Sequence, residues 1–212
     1  MARPRRLRIS GVSQHVIQRG NNRSDIFRRE DDYELLLLML RDAAKRHSVD
    51  IHGYVLMKNH VHVLATGKLP TAVERTMHLV GCRYALYFNK RHHRTGALFE
   101  GRYRATYVDH DEYWYTCLRY IELNPVRAGI VKQPDGYPWS SYAANALGSP
   151  DRLLTPHRLY LDLGNSDTER QNRWRTMCAD DIDPEELHRL RFAVHQGRAF
   201  GNVVLRAKEG EL

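Results

Sequence analysis

The 212-residue chain is predicted to form an α+β fold in which a mostly antiparallel sheet is flanked by helices. The order of periodic segments is strand, helix, strand, strand, helix, strand, helix. This order is typical of the split βαβ arrangement, with helices on one side of the sheet. Composition supports a globular chain, because 42% hydrophobic and 27% charged residues are ordinary values. The length suits one main core with a smaller appendage.

The first strand and the first helix are recognised from their periodicity. Residues 12–19 alternate loosely and run into a Gly-Asn-Asn turn at Gly20, which predicts a strand. A helix follows, for which Asp31 or Asp32 is a suitable N-cap. Leucines and alanines recur at helical spacing up to about His47, so one face of this helix is apolar.

Two neighbouring strands and a second long helix come next. Residues 51–58 and 60–66 are apolar runs of strand length. Thr71 and Glu74 form a capping-box pattern in front of apolar residues at helical spacing. A helix is therefore predicted from this point to about Gly96, where a glycine follows the last periodic residues.

A short strand and a third helix complete the predicted sheet domain. The segment "ALFEGRYRATYV" reads as a loop that runs into a strand, and Asp109 with Glu112 forms another capping box. The helix that follows carries "EYWYTCLRYIELNP". It must end near Pro125, because the residue before a proline is disfavoured in helical geometry.

The C-terminal part of the chain has a different character. We expect a main domain over residues 1–149 and a helical extension over residues 150–212. The extension holds two capped helix starts, one at Ser166 and one at Asp183, with a proline in the first turn of the second. Two helices in a basic protein are compatible with a DNA-binding module and equally with simple packing.

The charge balance favours a polyanionic partner. Thirty-three Lys and Arg residues against twenty-five Asp and Glu give a formal charge of +8. The excess is concentrated in two clusters, as phosphate contacts would require. A solvated helix face and an unstructured basic tail explain the same charges. The candidate DNA-binding residues in the clusters are Arg5, Arg6, Arg8, Arg91, Arg94, Arg102 and Arg104.

Cysteine usage and hydropathy point to a soluble, cytoplasmic protein. The three cysteines are widely spaced and contain no CxxC pair, so neither a disulfide framework nor a cysteine-ligated zinc site is indicated. No apolar run approaches the length of a membrane span, and no apolar segment follows the basic N-terminus. We therefore expect no membrane partner.

The segment "YVLMKNHVHVLATG" places two histidines inside an apolar strand. Residues two apart in a strand project to the same face, so His60 and His62 point together while Val61 points away. Two neutral imidazoles side by side can ligate one metal ion. They can also lie on the solvated face of a sheet, and the spacing alone does not choose between these interpretations.

The third helix supplies a second pair of polar residues. Tyr120 and Asn124 are four residues apart and so lie one turn apart on one face, at the margin of the apolar stripe. Read alone, Tyr120 is an ordinary amphipathic rim residue. Asn124 precedes a proline and can simply end the helix.

Taken together, the two pairs suggest phosphodiester chemistry. Two imidazoles and an amide oxygen could hold a hard divalent cation with positions left open for phosphate. The cation would withdraw charge from the phosphate and orient it for in-line attack. Tyr120 could be the nucleophile, and a phosphotyrosine bond would conserve the energy needed for rejoining. No Walker-type glycine loop occurs, in agreement with chemistry that needs no nucleotide cofactor.

Three motifs in this order resemble one known family. "MKNHVHVLA", "GALFEGRYRATYV" and "RYIELNPVRAGIV" are similar to segments of the REP-associated tyrosine transposases, a single-tyrosine transposase-like branch of the HUH endonuclease superfamily. The resemblance covers roughly residues 8–145. The segment "LRFAVHQGRAFGN" is more loosely similar to the tails of longer members.

The resemblance implies a fold, a reaction and roles for individual residues. The fold is a ferredoxin-like or RRM-like sheet flanked by helices. His60 and His62 match the metal ligands, and Asn124 matches the polar position that completes the site for Mg²⁺ or Mn²⁺. Tyr120 matches the tyrosine that attacks single-stranded DNA, leaving a 5′-phosphotyrosine and a free 3′-OH. The implied substrates are short palindromic, hairpin-forming repeats.

Other readings of the same residues stay open at this stage. Tyr103 lies between Arg102 and Arg104, a pattern that suits base stacking and phosphate pairing but also a strand with basic outward residues. The protein could be a hairpin DNA- or RNA-binding module without chemistry, or a metallohydrolase that activates water. Monomeric and homodimeric forms are both compatible with the sequence. Among the other histidines, His15, His52, His92 and His93 have no partner at ligand spacing and are interpreted as surface or structural residues.

Overall fold

A four-stranded antiparallel sheet lies at the centre of the protein, seen in a computed structural model that describes residues 8–108 and 111–196, with side chains up to Val194. The strand order is β2-β3-β1-β4, which confirms the predicted α+β class. Each pair of neighbouring strands is antiparallel. The strands are β1 (Ser13–Arg19), β2 (Val49–Met57), β3 (His60–Gly67) and β4 (Arg104–Val108).

Two long helices cover one face of this sheet. Helix α1 (Glu30–His47) connects β1 to β2, and helix α2 (Ala72–Arg91) connects β3 to β4. Each helix crosses over one intervening strand, as the split βαβ arrangement requires. The two helices and the strand residues beneath them form one apolar core, centred on Val16, Val61 and Val63.

The opposite face of the sheet is covered as well, so the prediction of helices on one side holds only for α1 and α2. Its strand residues Ile17, Val55 and Leu64 are apolar and form a second core with the later helices. Those helices are α3 (Asp111–Glu122), α5 (Tyr142–Leu147), α6 (Arg158–Leu161), α7 (Asp167–Ala179) and α8 (Pro184–Gln196), and the short helix α4 (Asn124–Arg127) follows α3.

The described part of the C-terminal extension shares this second core. Trp174 of α7 is fully buried and donates a hydrogen bond from Nε1 to Oε2 of Glu122 on α3, at 2.8 Å. Leu190 of α8 is buried in the same core. Two more donors reach Oε1 of Glu122, from Ser141 Oγ at 2.5 Å and Asn145 Nδ2 at 2.7 Å. The carboxyl group thus joins three helical segments.

The starts of α1 and α2 differ from the predicted caps. Arg29, and neither Asp31 nor Asp32, is the N-cap of α1, while Asp32 accepts hydrogen bonds from the backbone N–H groups of Arg28 and Arg29. Thr71 is the N-cap of α2 but makes no side-chain cap hydrogen bond. The predicted capping box of α2 is therefore absent.

The other helix ends agree with the prediction in part. Helix α2 stops at Arg91, before Gly96. Ser166 accepts a hydrogen bond from the backbone of Glu169, which confirms the start of α7. Asp183 accepts from the backbone of Glu185 at the start of α8. The predicted cap at Asp109 lies outside the described residues. None of the described helices is long and apolar enough to span a membrane.

Candidate active site

His60 and His62 project from β3 onto the face that α3 covers. In the strand register, His62 lies opposite Ile17 and His60 lies opposite Arg19. His62 is 2% exposed, whereas His60 is half-buried at the strand end. The histidines therefore do not lie on a solvated face of the sheet, which was the simpler interpretation of the sequence.

Tyr120 reaches the histidines because α3 packs closely against β2. A Cβ atom on Gly53 would lie 2.1 Å from Cδ1 of Leu118, so only glycine permits this approach. The phenol ring of Tyr120 is half-buried, and its centroid lies 5.7 Å from that of His62. The structure thus brings the predicted nucleophile and the predicted ligand into contact within one chain.

Asn124 also reaches His62, although not from the predicted helix. Helix α3 ends at Glu122 and α4 begins at Asn124, with Pro125 in its first turn, where its missing N–H costs no hydrogen bond. Asn124 Nδ2 lies 3.4 Å from His62 Nε2. Turning the amide by 180° would place Oδ1 there, since the two orientations are distinguished only by their hydrogen bonds.

His15 is a site residue that the sequence interpretation missed. Its Nε2 lies 2.8 Å from Nδ1 of His62, and the two rings stack with centroids 5.0 Å apart. The ring of Tyr120 is 5.9 Å from that of His15. The signal that would have found His15 is its position on the same sheet face, which depends on the pairing of β1 with β3 and is not readable from spacing along the chain.

The three imidazoles are neutral at neutral pH because they are removed from water. Burial lowers the pKa of His15 to about 3 and that of His62 well below its ordinary value. Burial, assisted by the charge of Arg19, lowers the pKa of His60 to about 4. Neutral imidazoles keep a lone pair on one ring nitrogen, which is the form that binds a metal ion.

The residues present fit a divalent cation with open coordination positions. His60 Nδ1 lies 2.6 Å from Oδ1 of the Asn59 side chain, so Nδ1 is the donor and Nε2 keeps its lone pair. His62 Nε2 and the Asn124 amide complete a set of two nitrogens and one oxygen. In the part of the chain that the structure describes, no three His, Cys, Asp or Glu residues cluster at metal-binding distance. Water and phosphate oxygens would supply the remaining ligands.

Arg127 stabilises the position of Tyr120. Its guanidinium carbon lies 4.1 Å from the centroid of the phenol ring, and Nη2 donates a hydrogen bond of 2.6 Å to the Tyr120 carbonyl. Such stacking of a cation over an aromatic ring is favourable. The sequence interpretation did not single out Arg127, which lies seven residues after Tyr120 and two turns further along the chain.

A basic cavity of about 150 Å³ lies beside the histidines. It is lined by Arg19, Arg102 and Arg104, with Ile17 of β1 and Val194 of α8 among its apolar walls. Arg104, Ile17 and His62 lie opposite one another on three neighbouring strands. Two strand spacings separate the ends of this row, so Arg104 begins about 10 Å from His62.

The remaining basic residues are spread over the molecule. Arg91 is exposed, and Arg94 is half-buried and donates a hydrogen bond to Asn89. Arg8 pairs with Glu74 of α2 at 3.1 Å. Arg5 and Arg6 lie outside the described residues.

Tyr103 does not form the predicted stacking surface. Its side chain is 7% exposed and packs in the core between the sheet and the helices α1 and α2. Arg102 and Arg104, on either side of it, are exposed while the ring between them is covered. The alternation that suggested an aromatic and basic surface is therefore an ordinary pattern of buried and exposed residues.

Comparison with known proteins adds a family to this geometry. A family model described as IS200-like transposase matches residues 8–124. A solved structure of a REP-associated tyrosine transposase bound to a REP hairpin is 18% identical, with a TM-score of 0.56 over 74% of this chain and 93% of that chain. A candidate transposase from Deinococcus radiodurans R1 is 20% identical, with a TM-score of 0.40 over 54% and 92% of the two chains. No curated protein matches the sequence.

These matches bear out the resemblance drawn from the three sequence motifs. At 18% identity, the hairpin-bound structure shows a shared fold. The family model is the stronger finding, because it matches the sequence itself and ends at Asn124, after both histidines and Tyr120. Since it spans more than half of the residues, the chain belongs to the family of IS200-like transposases.

Proposed function

We propose that the protein is a metal-dependent endonuclease and strand transferase that acts on single-stranded DNA beside hairpin-forming palindromic repeats. One observation carries the proposal: both Tyr120 and Asn124 lie against His62. A phenol beside a set of neutral nitrogen and amide ligands suits nucleophilic attack on phosphate. The hairpin in the structure of a protein with the same fold supports the choice of substrate.

The proposed reaction exchanges one phosphate ester for another. The phenol oxygen of Tyr120 attacks the phosphorus atom, and the bond from phosphorus to the 3′ oxygen breaks. The phenol gives up its proton, and the departing 3′ oxygen takes up one proton to become the 3′-OH. His60, His62 and Asn124 would hold Mg²⁺ or Mn²⁺, and the bound ion would polarise the phosphate and orient it for in-line attack. The 5′-phosphotyrosine keeps the ester energy, so a 3′-OH can later attack it and rejoin the strand.

Arg127 would assist Tyr120 in this step. The guanidinium over the phenol ring favours negative charge on the ring as the proton is lost. The hydrogen bond to the Tyr120 carbonyl fixes the last turn of α3 and limits movement of the nucleophile. Both contacts come from the same chain, as do those between Tyr120 and the histidines. We therefore propose an active site built from the residues of a single chain.

The single-stranded DNA would follow the sheet face from the histidines toward β4. Arg19, Arg102 and Arg104 line the cavity beside the site and supply positive charge for phosphates. Arg104 begins about 10 Å from His62, across two strand spacings, so it is proposed to contact a phosphate next to the one held at the histidines. Arg91, Arg94 and the N-terminal arginines are proposed contacts for more distant phosphates.

A covalent-adduct assay tests the nucleophile. The wild-type protein, incubated with Mn²⁺ and a labelled repeat hairpin carrying single-stranded flanks, should give a DNA-protein adduct that resists denaturation. Tyr120→Phe should form no adduct. The matched control is Tyr115→Phe on the same helix, whose hydroxyl group only donates to the Leu159 carbonyl, and this variant should keep the activity.

The outcomes separate the proposed function from its alternatives. Cleavage that survives Tyr120→Phe would point to a hydrolase that activates water. No cleavage by the wild-type protein, with equal hairpin affinity in the presence and absence of Mn²⁺, would point to a non-catalytic hairpin-binding protein. An adduct formed by Tyr120→Phe would rule out Tyr120 as the nucleophile.

A further inference from the structure

His15 and His62 form a buried, hydrogen-bonded pair of imidazoles beside Tyr120. Both side chains are almost fully buried, at 1% and 2% exposure. Their nitrogens Nε2 and Nδ1 lie 2.8 Å apart, which is the length of a hydrogen bond. A hydrogen bond of this length holds one proton between the two nitrogens, and the nitrogen that carries this proton decides which ring donates and which accepts.

Only one of the two arrangements leaves His62 able to bind a metal ion. If His15 Nε2 carries the proton, His62 Nδ1 accepts it and the remaining proton of His62 sits on Nε2, which then has no lone pair. If His62 Nδ1 carries the proton, His62 Nε2 is free to act as a ligand. The second arrangement requires His15 to accept through Nε2 and to carry its own proton on Nδ1.

We propose that His15 is a positioning residue for the metal site, which accepts the Nδ1 proton of His62 and so presents the Nε2 lone pair of His62 to the ion. The inference rests on the proposed function, because it assigns His62 as a ligand. Histidine ligands commonly donate their second ring N–H group to an acceptor that fixes ring orientation and tautomer. Here the acceptor is another neutral imidazole instead of a carboxylate or a carbonyl group.

The surroundings of His15 argue against a purely structural role. Its Nδ1 is buried and has no hydrogen-bond partner among the described residues. Its cross-strand neighbours are Leu64 and Thr106, and the one hydrogen bond that an apolar side chain at this position would remove is the bond to Nδ1 of His62. A buried nitrogen without a partner costs free energy. The hydrogen bond between the other nitrogen of His15 and His62 gives a reason for an imidazole at this position.

Two variants at position 15 test the proposal through metal affinity. His15→Leu removes the acceptor, whereas His15→Gln keeps a carbonyl oxygen that can accept from His62. The dissociation constant for Mn²⁺, measured by electron paramagnetic resonance of the free ion, should rise about 10- to 100-fold in His15→Leu. His15→Gln should recover most of the affinity, which a packing role for the ring would not produce.

A matched control separates the effect on His62 from general damage to a buried site. His52 is also buried, with its ring nitrogens hydrogen-bonded to Thr155 and Thr66, and its ring contacts Trp114 and His157 instead of the site residues. His52→Leu should lower the thermal unfolding temperature and leave the Mn²⁺ affinity unchanged. Nitrogen-15 resonances of the Mg²⁺-saturated wild-type protein should show His62 protonated at Nδ1 and unprotonated at Nε2.

The results that would overturn the inference are distinct from failure of the proposed function. Equal Mn²⁺ affinity of the wild-type protein and a folded His15→Leu variant, or a proton on Nε2 of metal-bound His62, would exclude this role of His15. A wild-type protein that binds no Mn²⁺ and forms no adduct would instead refute the proposed function. A folded His15→Gln variant with affinity as low as His15→Leu would also contradict the proposed acceptor.

Discussion

Glu122 is the residue for which the structure gives the most quantitative prediction. Its carboxyl group is fully buried between α3, α5 and α7. Burial raises its pKa from 4.5 to about 7, against the opposing effect of hydrogen bonds from Ser141, Trp174 and Asn145. In the protonated state the acid proton can be donated to Ser141 Oγ, because that hydroxyl group can donate in turn to the carbonyl of Tyr54.

The sign of the pH dependence follows from this direction. The folded state holds the proton more tightly than the unfolded state, so unfolding releases a proton between pH 4.5 and about 7. The contribution of Glu122 to the free energy of unfolding is therefore full below pH 4.5 and is lost as the pH rises through 7. The two pKa values differ enough to correspond to about 3 kcal/mol.

Buried histidines give the opposite trend and must be separated from Glu122. His15 and His60 have pKa values lowered to about 3 and about 4 by burial. Below pH 6.5 these histidines bind protons in the unfolded state but stay neutral in the folded state. Their contribution to stability therefore falls as the pH falls. The slope of the wild-type protein alone is consequently not diagnostic.

The diagnostic quantity is the difference between the wild-type protein and Glu122→Gln. Urea unfolding at pH 5 and pH 8 should show a difference in free energy that changes by about 3 kcal/mol between the two pH values. The glutamine amide also faces the Trp174 N–H group, which adds a constant destabilisation. Glu112→Gln, at an exposed position on α3, should give curves parallel to the wild type. Parallel curves for Glu122→Gln as well would refute the reasoning.

Two further perturbations test the packing of α3 and the basic cavity. Gly53→Ala should destabilise the protein by about 1–3 kcal/mol, because the new methyl group would overlap Leu118. The control is Gly136→Ala, whose new methyl group would lie 3.8 Å from Val131. This control should leave the midpoint of urea unfolding nearly unchanged. Arg102→Ala and Arg104→Ala should each weaken hairpin binding and reduce the salt slope of fluorescence-anisotropy titrations by about 1; unchanged slopes would place the strand elsewhere.

Local patterns were sufficient to predict the sheet and most of the helices. Apolar alternation and length gave β1, β2 and β3 within two residues, whereas the fourth strand was predicted without bounds, in the segment that ends at Val108. The capping residues Ser166 and Asp183 marked the starts of α7 and α8. Helix ends that are determined by tertiary contacts were harder to predict from the sequence. Helix α2 stops before His92, whose imidazole pairs with Asp32 of α1, and His93 then adopts a left-handed conformation.

The site was predictable to the extent that its residues share an element. His60 and His62 lie on one strand, so the period of two was enough to pair them. Tyr120 and Asn124 lie close in sequence, and their pairing survived the break between α3 and α4. His15 comes from another strand, and its contact with His62 depends on strand order and register, which are set by the packing of the whole sheet.

The position of Glu122 links the C-terminal helices to the proposed chemistry. It lies two residues after Tyr120 on α3, so the last turn of this helix presents the phenol to the histidines and the carboxyl group to α5 and α7. Trp174 and Asn145 hold that carboxyl group in a fixed place, and movement of α7 would move the turn that carries Tyr120. Val194 of α8 lines the basic cavity on the same face. Helix α7 is therefore placed to influence the position of the proposed nucleophile, and α8 to influence the proposed path of the DNA strand.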